Sequence, residues 1–340
     1  MTRWSAALIT FAAISGLTAC GSPSAAPPLA GSGMTAVRNT GSLYPATIKE
    51  FGVPTSAAGP YDIALGPDGN FWFTEQNGNK VAYITPSGTM KEFLVPSAAS
   101  MPTGITTGPD GNLWVTENQN NRVARVSLTG SFKEFKLPGT DMEPNEMTVG
   151  KDGRLWVTLD LGDAIGAITA TGAIQVYKLP HLNSHPSGIA AGPDGNLWFC
   201  EEVGNRIGRI STSGSITEFA IPTRGSQPAA ITSGPDGNLW FSESQGNKIG
   251  RITTAGAMRE FIIKRGVDSE PMGIVSGPQS KLWFAEFTGN AVSSITTSGV
   301  VTRYPLPNVN SHPNGVTTDA AKTTVWFTEF QGDRIGNLTP

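Results

Sequence analysis

Two sets of side chains in this chain have the types and the regular spacing that chemistry requires. The first set stands three residues after each of seven evenly spaced tryptophans and is acidic in six cases: Glu75, Glu117, Leu159, Glu201, Glu243, Glu286 and Glu329. The second set stands directly before a proline in each unit and varies: Gly59, Met101, Glu143, His185, Gln227, Glu270 and His312. A position that varies inside a constant framework can specify a ligand. Hydrogen-bonding and metal-binding groups concentrate at five of these positions, which we interpret as a ligand face: Glu143, His185, Gln227, Glu270 and His312.

Both sets also have a structural interpretation. Six ionised carboxylates in one ring would repel one another if all were close. Hydrogen bonds from backbone N–H groups, or pairing with a basic residue such as Lys80 or Arg206, are therefore an alternative to catalysis. A repeat copies its structural residues as faithfully as its functional ones, which favours a structural role for any single glutamate of the ring. The histidines have a comparable alternative as solvated loop residues, and His181 adds nothing specific.

These sets belong to a repeat of about 42 residues. The tryptophans are Trp72, Trp114, Trp156, Trp198, Trp240, Trp283 and Trp326, spaced by 42, 42, 42, 42, 43 and 43 residues. Each unit contains four short segments of alternating apolar and polar residues, separated by turns such as Gly192-Pro193-Asp194-Gly195, and no amphipathic helix of useful length. Four strands in a unit of this length are typical of a propeller blade. The sequence therefore predicts an all-β fold, a seven-bladed β-propeller with four-stranded blades.

The two ends of the repeat predict how the ring closes. Residues 333–338 form a third-strand pattern with no fourth strand after it, and residues 47–54 form a fourth-strand pattern with no blade before it. We expect residues 47–53 to complete the last blade, which also removes exposed sheet edges; an open solenoid would need capping repeats instead. Because neighbouring strands are antiparallel, the prolines and the ends of the tryptophan strands then lie on one face, around the central channel.

The first 42 residues read as an export and anchoring segment. Residues 1–19 are a predicted lipoprotein signal peptide, in which an apolar run too short to span a membrane ends in Leu17-Thr18-Ala19-Cys20. This ending resembles a bacterial lipobox and predicts lipidation of Cys20; an ordinary signal peptide with a chance cysteine is the alternative. Residues 20–42 are the lipidated cysteine and a predicted flexible tether, and residues 43–340 are the propeller. We expect an extracytoplasmic protein, attached to the cell envelope through its lipid anchor only.

Charge and cysteine content exclude a few functions. The formal net charge is −3 and no basic stripe is present, which argues against nucleic acid as a partner. Once Cys20 is acylated, Cys200 has no second cysteine to pair with, and its apolar strand context predicts a buried, inert thiol. We expect a monomer that binds a small molecule or an envelope partner.

One blade signature points to a known family. Residues 230–241 read Ala-Ile-Thr-Ser-Gly-Pro-Asp-Gly-Asn-Leu-Trp-Phe, and residues 246–253 read Gly-Asn-Lys-Ile-Gly-Arg-Ile-Thr. This signature resembles the streptogramin (virginiamycin B) lyase family, and the resemblance extends over residues 47–340. It implies an enzyme of antibiotic resistance that opens the ester-linked ring of type B streptogramins by elimination, without water, using a divalent metal, typically magnesium. The implied mechanism is removal of a proton α to the ester carbonyl by a histidine, while the metal polarises the carbonyl oxygen.

The residues that this resemblance calls for are only partly present. Glu270 and Glu286 match the family's metal-associated carboxylates, and the resemblance implies that they bind Mg²⁺. The histidines expected directly after two prolines are replaced by Met272 and Ala229, and methionine cannot accept a proton. The catalytic base is therefore unknown, with His312 and Glu286 as candidates for a displaced base. Two functions stay open: binding of a small molecule or envelope partner on the face of Glu270 and Glu286, and a magnesium-dependent carbon–oxygen lyase with a displaced base.

Overall fold

A computed structural model describes residues 46–263 and 268–340 of the protein. The predicted signal peptide, the lipidated Cys20 and the tether therefore lie outside the described residues. Within the two described ranges the regular structure is almost entirely β-strand, with short 3-10 helices at Asn118–Asn120 and Pro278–Ser280. No helix in these ranges is long and apolar enough to cross a membrane.

The strands form seven antiparallel sheets of four strands, one for each repeat. Blade 1 consists of Pro60–Leu65, Phe71–Glu75, Lys80–Ile84 and Met90–Leu94. Blade 2 consists of Pro102–Thr107, Leu113–Glu117, Arg122–Val126 and Phe132–Lys136. Blade 3 consists of Pro144–Val149, Leu155–Leu159, Ala164–Ile168 and Ile174–Lys178. Blade 4 consists of Pro186–Ala191, Leu197–Glu201, Arg206–Ile210 and Ile216–Ala220.

The remaining three blades follow the same plan. Blade 5 consists of Pro228–Ser233, Leu239–Glu243, Lys248–Ile252 and Met258–Ile262. Blade 6 consists of Pro271–Gly277, Lys281–Glu286, Ala291–Ile295 and Val301–Pro305. Blade 7 consists of Pro313–Thr318, Val325–Glu329, Arg334–Thr339 and, from the other end of the described chain, Thr47–Gly52.

The ring closes through that last strand. Thr47–Gly52 pairs antiparallel with Arg334–Thr339, so that Thr47 lies opposite Thr339 and Gly52 opposite Arg334. The first strand of blade 1 contacts the first strands of blades 2 and 7, and the innermost strands therefore form a continuous ring. The predicted seven-bladed, all-β propeller and its closing strand are confirmed.

The tryptophans form the core between blades. Every one of the seven stacks on an aromatic ring in the fourth strand of its own blade, as Trp198 does on Phe219 with 5.6 Å between ring centroids. Trp198 Nε1 also donates a hydrogen bond to Asp194 in the Gly-Pro-Asp-Gly turn, at 3.1 Å. Trp156 of blade 3 lies in one buried cluster with Phe199 of blade 4. Burial of these large rings supplies much of the hydrophobic stabilisation that joins neighbouring blades.

Each first strand carries a β-bulge directly after its proline. In blade 4, Pro186 pairs with Glu201 and Ile189 with Phe199, so that Ser187 and Gly188 stand opposite the single residue Cys200. The same register shift occurs in all seven blades. A bulge changes the direction in which its side chains point. Here it turns the two residues after each proline toward the central axis.

A buried hydroxyl fixes these bulges in most blades. In blade 2, Thr116 Oγ1 accepts a hydrogen bond from Gly104 N–H at 2.7 Å and donates one to the Asn145 carbonyl of blade 3 at 2.7 Å. Three other threonines make the same pair of bonds: Thr74, Thr158 and Thr328. One side chain thus holds the bulge of its own blade and the bulge of the next.

Blade 4 has a cysteine at this hydroxyl position. Cys200 is fully buried, and burial, followed by the nearby glutamate charges, raises the pKa of its thiol well above the usual range. A neutral buried thiol agrees with the prediction of an inert residue. The link that a threonine would make is replaced by Ser187, whose hydroxyl donates to the Ala229 carbonyl of blade 5 at 3.0 Å.

Removing one of these hydroxyls should destabilise the propeller. The substitution Thr116→Val keeps the shape of the side chain but leaves the Gly104 N–H and the Asn145 carbonyl without their partner. We expect a loss of about 1–3 kcal/mol in the free energy of unfolding, measured by urea titration. Thr302→Val, at an exposed strand position, is the matched control and should change stability by less than about 0.5 kcal/mol. Equal effects of the two substitutions would contradict this account.

Candidate functional site

A repeated backbone kink builds the predicted ligand face. The residue before each strand-opening proline has a positive φ, between 45° and 58°, in all seven blades. Six of the seven are not glycine, although glycine adopts this conformation most easily. The carbonyl of each of these residues accepts a backbone hydrogen bond from the residue four positions after the tryptophan of the same blade. In blade 4, the His185 carbonyl accepts the Glu202 N–H at 3.0 Å. Because the kink recurs in every blade, it is a feature of the scaffold and does not by itself mark a reactive residue.

A central pocket of about 180 Å³ lies where the bulges meet. Its walls come mainly from the two residues that follow the strand-opening proline in six of the seven blades, all except blade 2. Six of its lining residues bear on its chemistry: Tyr61, Asp62, Glu146, Glu202, Ala229 and Met272. Met272 and Ala229 therefore face the pocket at the two positions where the family resemblance calls for histidine. His185 and His312, which precede their prolines, are not part of its lining.

Two carboxyl groups converge on the floor of this pocket. Both lie beside the first strand of blade 2. A side-chain carbon added at Gly104 would be 3.1 Å from the Glu146 carboxylate of blade 3. The next residue, Ile105, donates its N–H to the Asp62 carboxylate of blade 1 at 2.9 Å. Burial raises the pKa of Asp62 to about 6. Burial and the charge of Asp62 raise the pKa of Glu146 well above its usual range. The floor of the pocket thus carries fewer negative charges at neutral pH than its two carboxyl groups suggest.

Blades 3 and 4 contribute a polar side to the face. His185 Nδ1 lies 2.8 Å from Asp160 Oδ1, and both side chains are partly exposed. Glu202 follows the ring glutamate of blade 4, and its pKa is raised by burial and by the charge of Asp160, while His185 opposes the shift. The pKa of Glu143, one of the predicted ligand-face residues, is also raised by burial and by the charges of Asp160 and Asp141. The structure therefore brings His185 and Glu143 together with two carboxylates that sequence reasoning missed.

Blades 6, 7 and 1 contribute an aromatic side. His312 stacks on Phe287 with 4.5 Å between ring centroids, and Phe287 lies 6.4 Å from Phe330. Phe330 in turn makes an edge contact with Tyr61 at 6.1 Å, which connects this aromatic cluster to the pocket. Burial lowers the pKa of His312 below its usual value, so its imidazole is neutral at physiological pH. The Nδ1 atom of His312 is buried and has no hydrogen-bond partner among the described residues.

The ring glutamates are entirely buried between blades. Lys80 does not pair with Glu75 but binds Glu92 in the fourth strand at 2.7 Å, whereas Arg206 lies 3.4 Å from Glu201. Burial, followed by repulsion from the fourth-strand glutamate, raises the pKa of Glu75 to about 8. Four others are raised to about 7 or 8, with burial again the largest cause: Glu117, Glu201, Glu243 and Glu329. None of the ring glutamates lines the central pocket. The predicted backbone hydrogen bonds are not found, because neither carboxylate oxygen has a hydrogen-bond partner among the described residues in four of them: Glu75, Glu117, Glu243 and Glu329.

Glu286 is the exception, because blade 6 reverses the charge of its fourth strand. Arg303 stands where blade 1 has Glu92, and its Nε donates to Glu286 Oε2 at 2.9 Å. The Ser293 hydroxyl donates to the other oxygen. Glu286 is fully buried, so neither oxygen is free for a metal ion or for a proton from a ligand in the central pocket.

Magnesium does not fit the pair of glutamates in this arrangement. Glu270 is partly buried, and burial and the charge of Asp268 raise its pKa. Glu286 forms an ion pair with Arg303 and would have to break it to bind a cation. Among the described residues no group of three or more histidine, cysteine, aspartate or glutamate side chains is placed to hold a metal ion. A cation site at Glu270 and Glu286 stays a prediction, and it would require Glu286 to leave Arg303.

The position after each ring residue was the signal that sequence reasoning missed. It varies as strongly as the position before each proline: Gln76, Asn118, Asp160, Glu202, Ser244, Phe287 and Phe330. The two positions lie side by side on the face. The residue at this position in one blade therefore determines the surroundings of the residue before the proline in the next blade. Gln227, the remaining predicted ligand-face residue, uses its carbonyl to accept the Ser244 hydroxyl at 2.9 Å. Comparing the two variable positions together would have separated the polar side from the aromatic side.

Fold and face together define a closed seven-bladed β-propeller whose central pocket is lined by carboxyl groups and Tyr61, with the aromatic cluster of Phe287 and Phe330 beside it on the face. The model of the virginiamycin B lyase family matches residues 39–181 and 140–340. The chain therefore belongs to the virginiamycin B lyase family.

Individual relatives agree with this assignment. The chain is 38% identical to the virginiamycin B lyase of Staphylococcus aureus, with a TM-score of 0.83 over 87% of this chain and 99% of that one. A catalytically inactive histidine-to-alanine variant of that enzyme, solved with quinupristin, matches with the same identity, coverage and TM-score. The virginiamycin B lyase of Bacillus licheniformis is 46% identical over 39 residues, which span 12% of this chain and 13% of that protein.

The buried ring should make the fold less stable as the pH rises. Its carboxyl groups stay protonated in the folded state up to about pH 7–8, whereas the unfolded chain loses these protons near pH 4.5. Folding therefore binds protons in this window, and stability falls as the pH increases through it. We expect the temperature of the thermal unfolding midpoint to decrease as the pH is raised from about 5 to about 9. The substitution Glu243→Gln should make this decrease smaller.

Glu286→Gln is the matched control for that measurement. It breaks the ion pair with Arg303 and leaves a partly buried cation unpaired, so it should destabilise the protein at pH 8 where Glu243→Gln does not. If both variants lose stability equally, the ring carboxyl groups are ionised in the folded protein and this interpretation is wrong.

Proposed function

We propose that this protein binds a small amphipathic molecule at the central pocket and does not cleave it by the elimination that the family resemblance implies. The observation that carries the proposal is that carboxyl groups and aromatic rings lie together at this place. Asp62, Glu146 and Glu202 line the pocket. Tyr61 lines it too, and the rings of Phe330 and Phe287 continue from Tyr61 beyond the lining. Ligand pockets typically combine apolar walls with a few polar groups that fix orientation.

The relatives suggest the class of ligand. The Staphylococcus aureus variant solved with quinupristin is a virginiamycin B lyase, and this chain covers nearly all of it. A pocket of about 180 Å³ would admit a side chain or ring of such a ligand, while the remainder would lie across the open face. We therefore take quinupristin as the probe for binding.

The pocket lacks the proton acceptor that elimination needs at the family's position. Met272 and Ala229 line it where histidines are called for, and neither side chain can take a proton. Glu286 is paired with Arg303 and is not available as a replacement.

A second candidate is a carbon–oxygen lyase that uses His312 as a displaced base. The observation in its favour is the lowered pKa of His312, which keeps the imidazole neutral and able to accept a proton. Its stacking on Phe287 places it beside the aromatic side of the pocket. Magnesium-dependent opening of quinupristin that is lost in His312→Gln would support this candidate over simple binding.

We also propose an extracytoplasmic location, with the propeller held at the cell envelope by a lipid on Cys20. The support is the lipobox-like sequence at residues 17–20. The polar and aromatic face would then meet ligands before they enter the cell.

Binding without elimination is the first test. Calorimetric titration should show saturable binding of quinupristin, and chromatography with mass detection should show no linear elimination product, which has the mass of quinupristin itself, with or without magnesium. Phe330→Ala should weaken binding about fivefold to tenfold, because it removes a ring from the aromatic side. Val300→Ala, in an exposed turn on the opposite face, is the control and should bind like the unchanged protein. Absence of binding, or rapid formation of the elimination product, would overturn the proposal.

The anchor has a separate test. In cells, the unchanged protein should fractionate with membranes, and Cys20→Ser should move it to the soluble fraction because the acylated residue is lost. An equal distribution of the two forms would remove the lipid anchor from this account.

A further inference from the structure

His185 and His312 occupy the same position in two blades but have opposite surroundings. Each precedes a strand-opening proline, each has φ near 50°, and each accepts a backbone N–H at 3.0 Å. The preceding blade places Asp160 beside His185 and Phe287 beside His312. Their own blades add Glu202 and Phe330, respectively. The scaffold thus provides an internal comparison in which only the neighbouring side chains differ.

Asp160 fixes the orientation and the tautomer of His185. An ionised carboxylate can only accept hydrogen bonds, so the proton of the neutral imidazole lies on Nδ1, which is 2.8 Å from Asp160 Oδ1. The Nε2 atom is left with a free lone pair and has no hydrogen-bond partner in the described ranges. A histidine with one nitrogen held by a carboxylate and the other free has the arrangement of a general base.

The backbone of His185 is fixed as firmly as its ring. The carboxylate of Asp163 accepts the N–H groups of Asn183 and Ser184, both at 2.8 Å, and that of His185 at 3.3 Å. Asp160 is held in turn, because its N–H donates to the Glu143 carbonyl at 3.0 Å. A base positioned in this way can act without reorganising its loop.

The pocket lies within reach through Glu202. This residue lines the pocket, and its backbone N–H donates to the His185 carbonyl at 3.0 Å, which places the two residues side by side on the face. A ligand in the pocket that extends over blade 4 would therefore pass His185. The Ser187 hydroxyl of the pocket lining does not compete as a nucleophile, since it donates to carbonyls of blade 5. Water is the proton donor and nucleophile that this polar, partly exposed site offers.

We propose that His185 is the general base of a metal-independent hydrolytic site for esters or lactones, and that Asp160 is its positioning residue. His185 Nε2 takes a proton from water while the water oxygen bonds to the ester carbonyl carbon. The carbon–oxygen bond to the leaving alcohol then breaks, and the imidazolium returns the proton to the departing oxygen. The products are a carboxylic acid and an alcohol. Esters and lactones suit the site because their alkoxide leaves more readily than the amine of an amide.

This inference rests on the proposed binding pocket and adds a reaction to it. The test uses the full propeller, the aryl lactone dihydrocoumarin as substrate and a chelator in the buffer. Hydrolysis should saturate with substrate and persist with the chelator, and His185→Gln should lower kcat at least about tenfold. His181→Gln is the control, because His181 is an exposed histidine of the same loop paired with Glu218. It should leave kcat unchanged.

The pH profile tests the role of Asp160. Three carboxyl groups lie around the imidazole, those of Glu143, Asp160 and Glu202, and the Asp163 carboxylate accepts the backbone N–H groups of the same loop. Asp160→Asn removes the charge that favours the protonated ring, so the acidic limb of the kcat profile should move to lower pH while KM stays the same. A purely structural Asp160 would lower stability without moving this limb. Thermal unfolding of His185→Gln and Asp160→Asn shows that each variant is folded.

The outcomes separate this inference from the proposed function. Hydrolysis that is no faster than in His185→Gln, that falls equally in His181→Gln or that the chelator abolishes would overturn it. If quinupristin binds and the lactone is not hydrolysed, the proposed binding at the pocket is supported and the proposed role of His185 as a general base is wrong. If neither occurs, both proposals are wrong.

Discussion

The bulge after each strand-opening proline is the constraint on which the rest of the molecule depends. It places two residues of each blade toward the axis, and the bulges of six blades, all except blade 2, form the wall of the central pocket. A buried hydroxyl such as Thr116 holds the bulge of its own blade and that of the next at 2.7 Å each. The pocket is therefore built by contacts between blades, and its shape depends on a closed ring.

The same arrangement explains why neighbouring variable positions act in pairs. The residue before a proline and the residue after the preceding blade's ring position meet on the face. His185 with Asp160 and His312 with Phe287 show that one imidazole can be placed among carboxylates and another among aromatic rings without any change in the scaffold. Function in this fold is set by such pairs, and the common blade sequence says little about it.

Much of the architecture could be predicted from the sequence because it depends on periodic features. Seven tryptophans at regular spacing, alternating strands and an unpaired strand at each end are local patterns, and they determine the blades and the closing strand. The ion pair of Glu286 could not be predicted in this way. Arg303 is in a different strand, and the partner position in other blades is a glutamate such as Glu92, so analogy between blades pointed to the wrong environment.

The site shows where resemblance and physical chemistry separate. Glu270 and Glu286 match the family in sequence, yet Arg303 holds Glu286 with both oxygens occupied. Met272 and Ala229 line the pocket where histidines are called for, while His185 has its ring oriented by a carboxylate at a position that the resemblance does not select. A propeller can lose its proton acceptor at one bulge and place another at an adjacent blade, because every blade presents the same two variable positions to the same face. The reactive group in such a fold is therefore identified by what each imidazole touches, and a matching motif alone does not identify it.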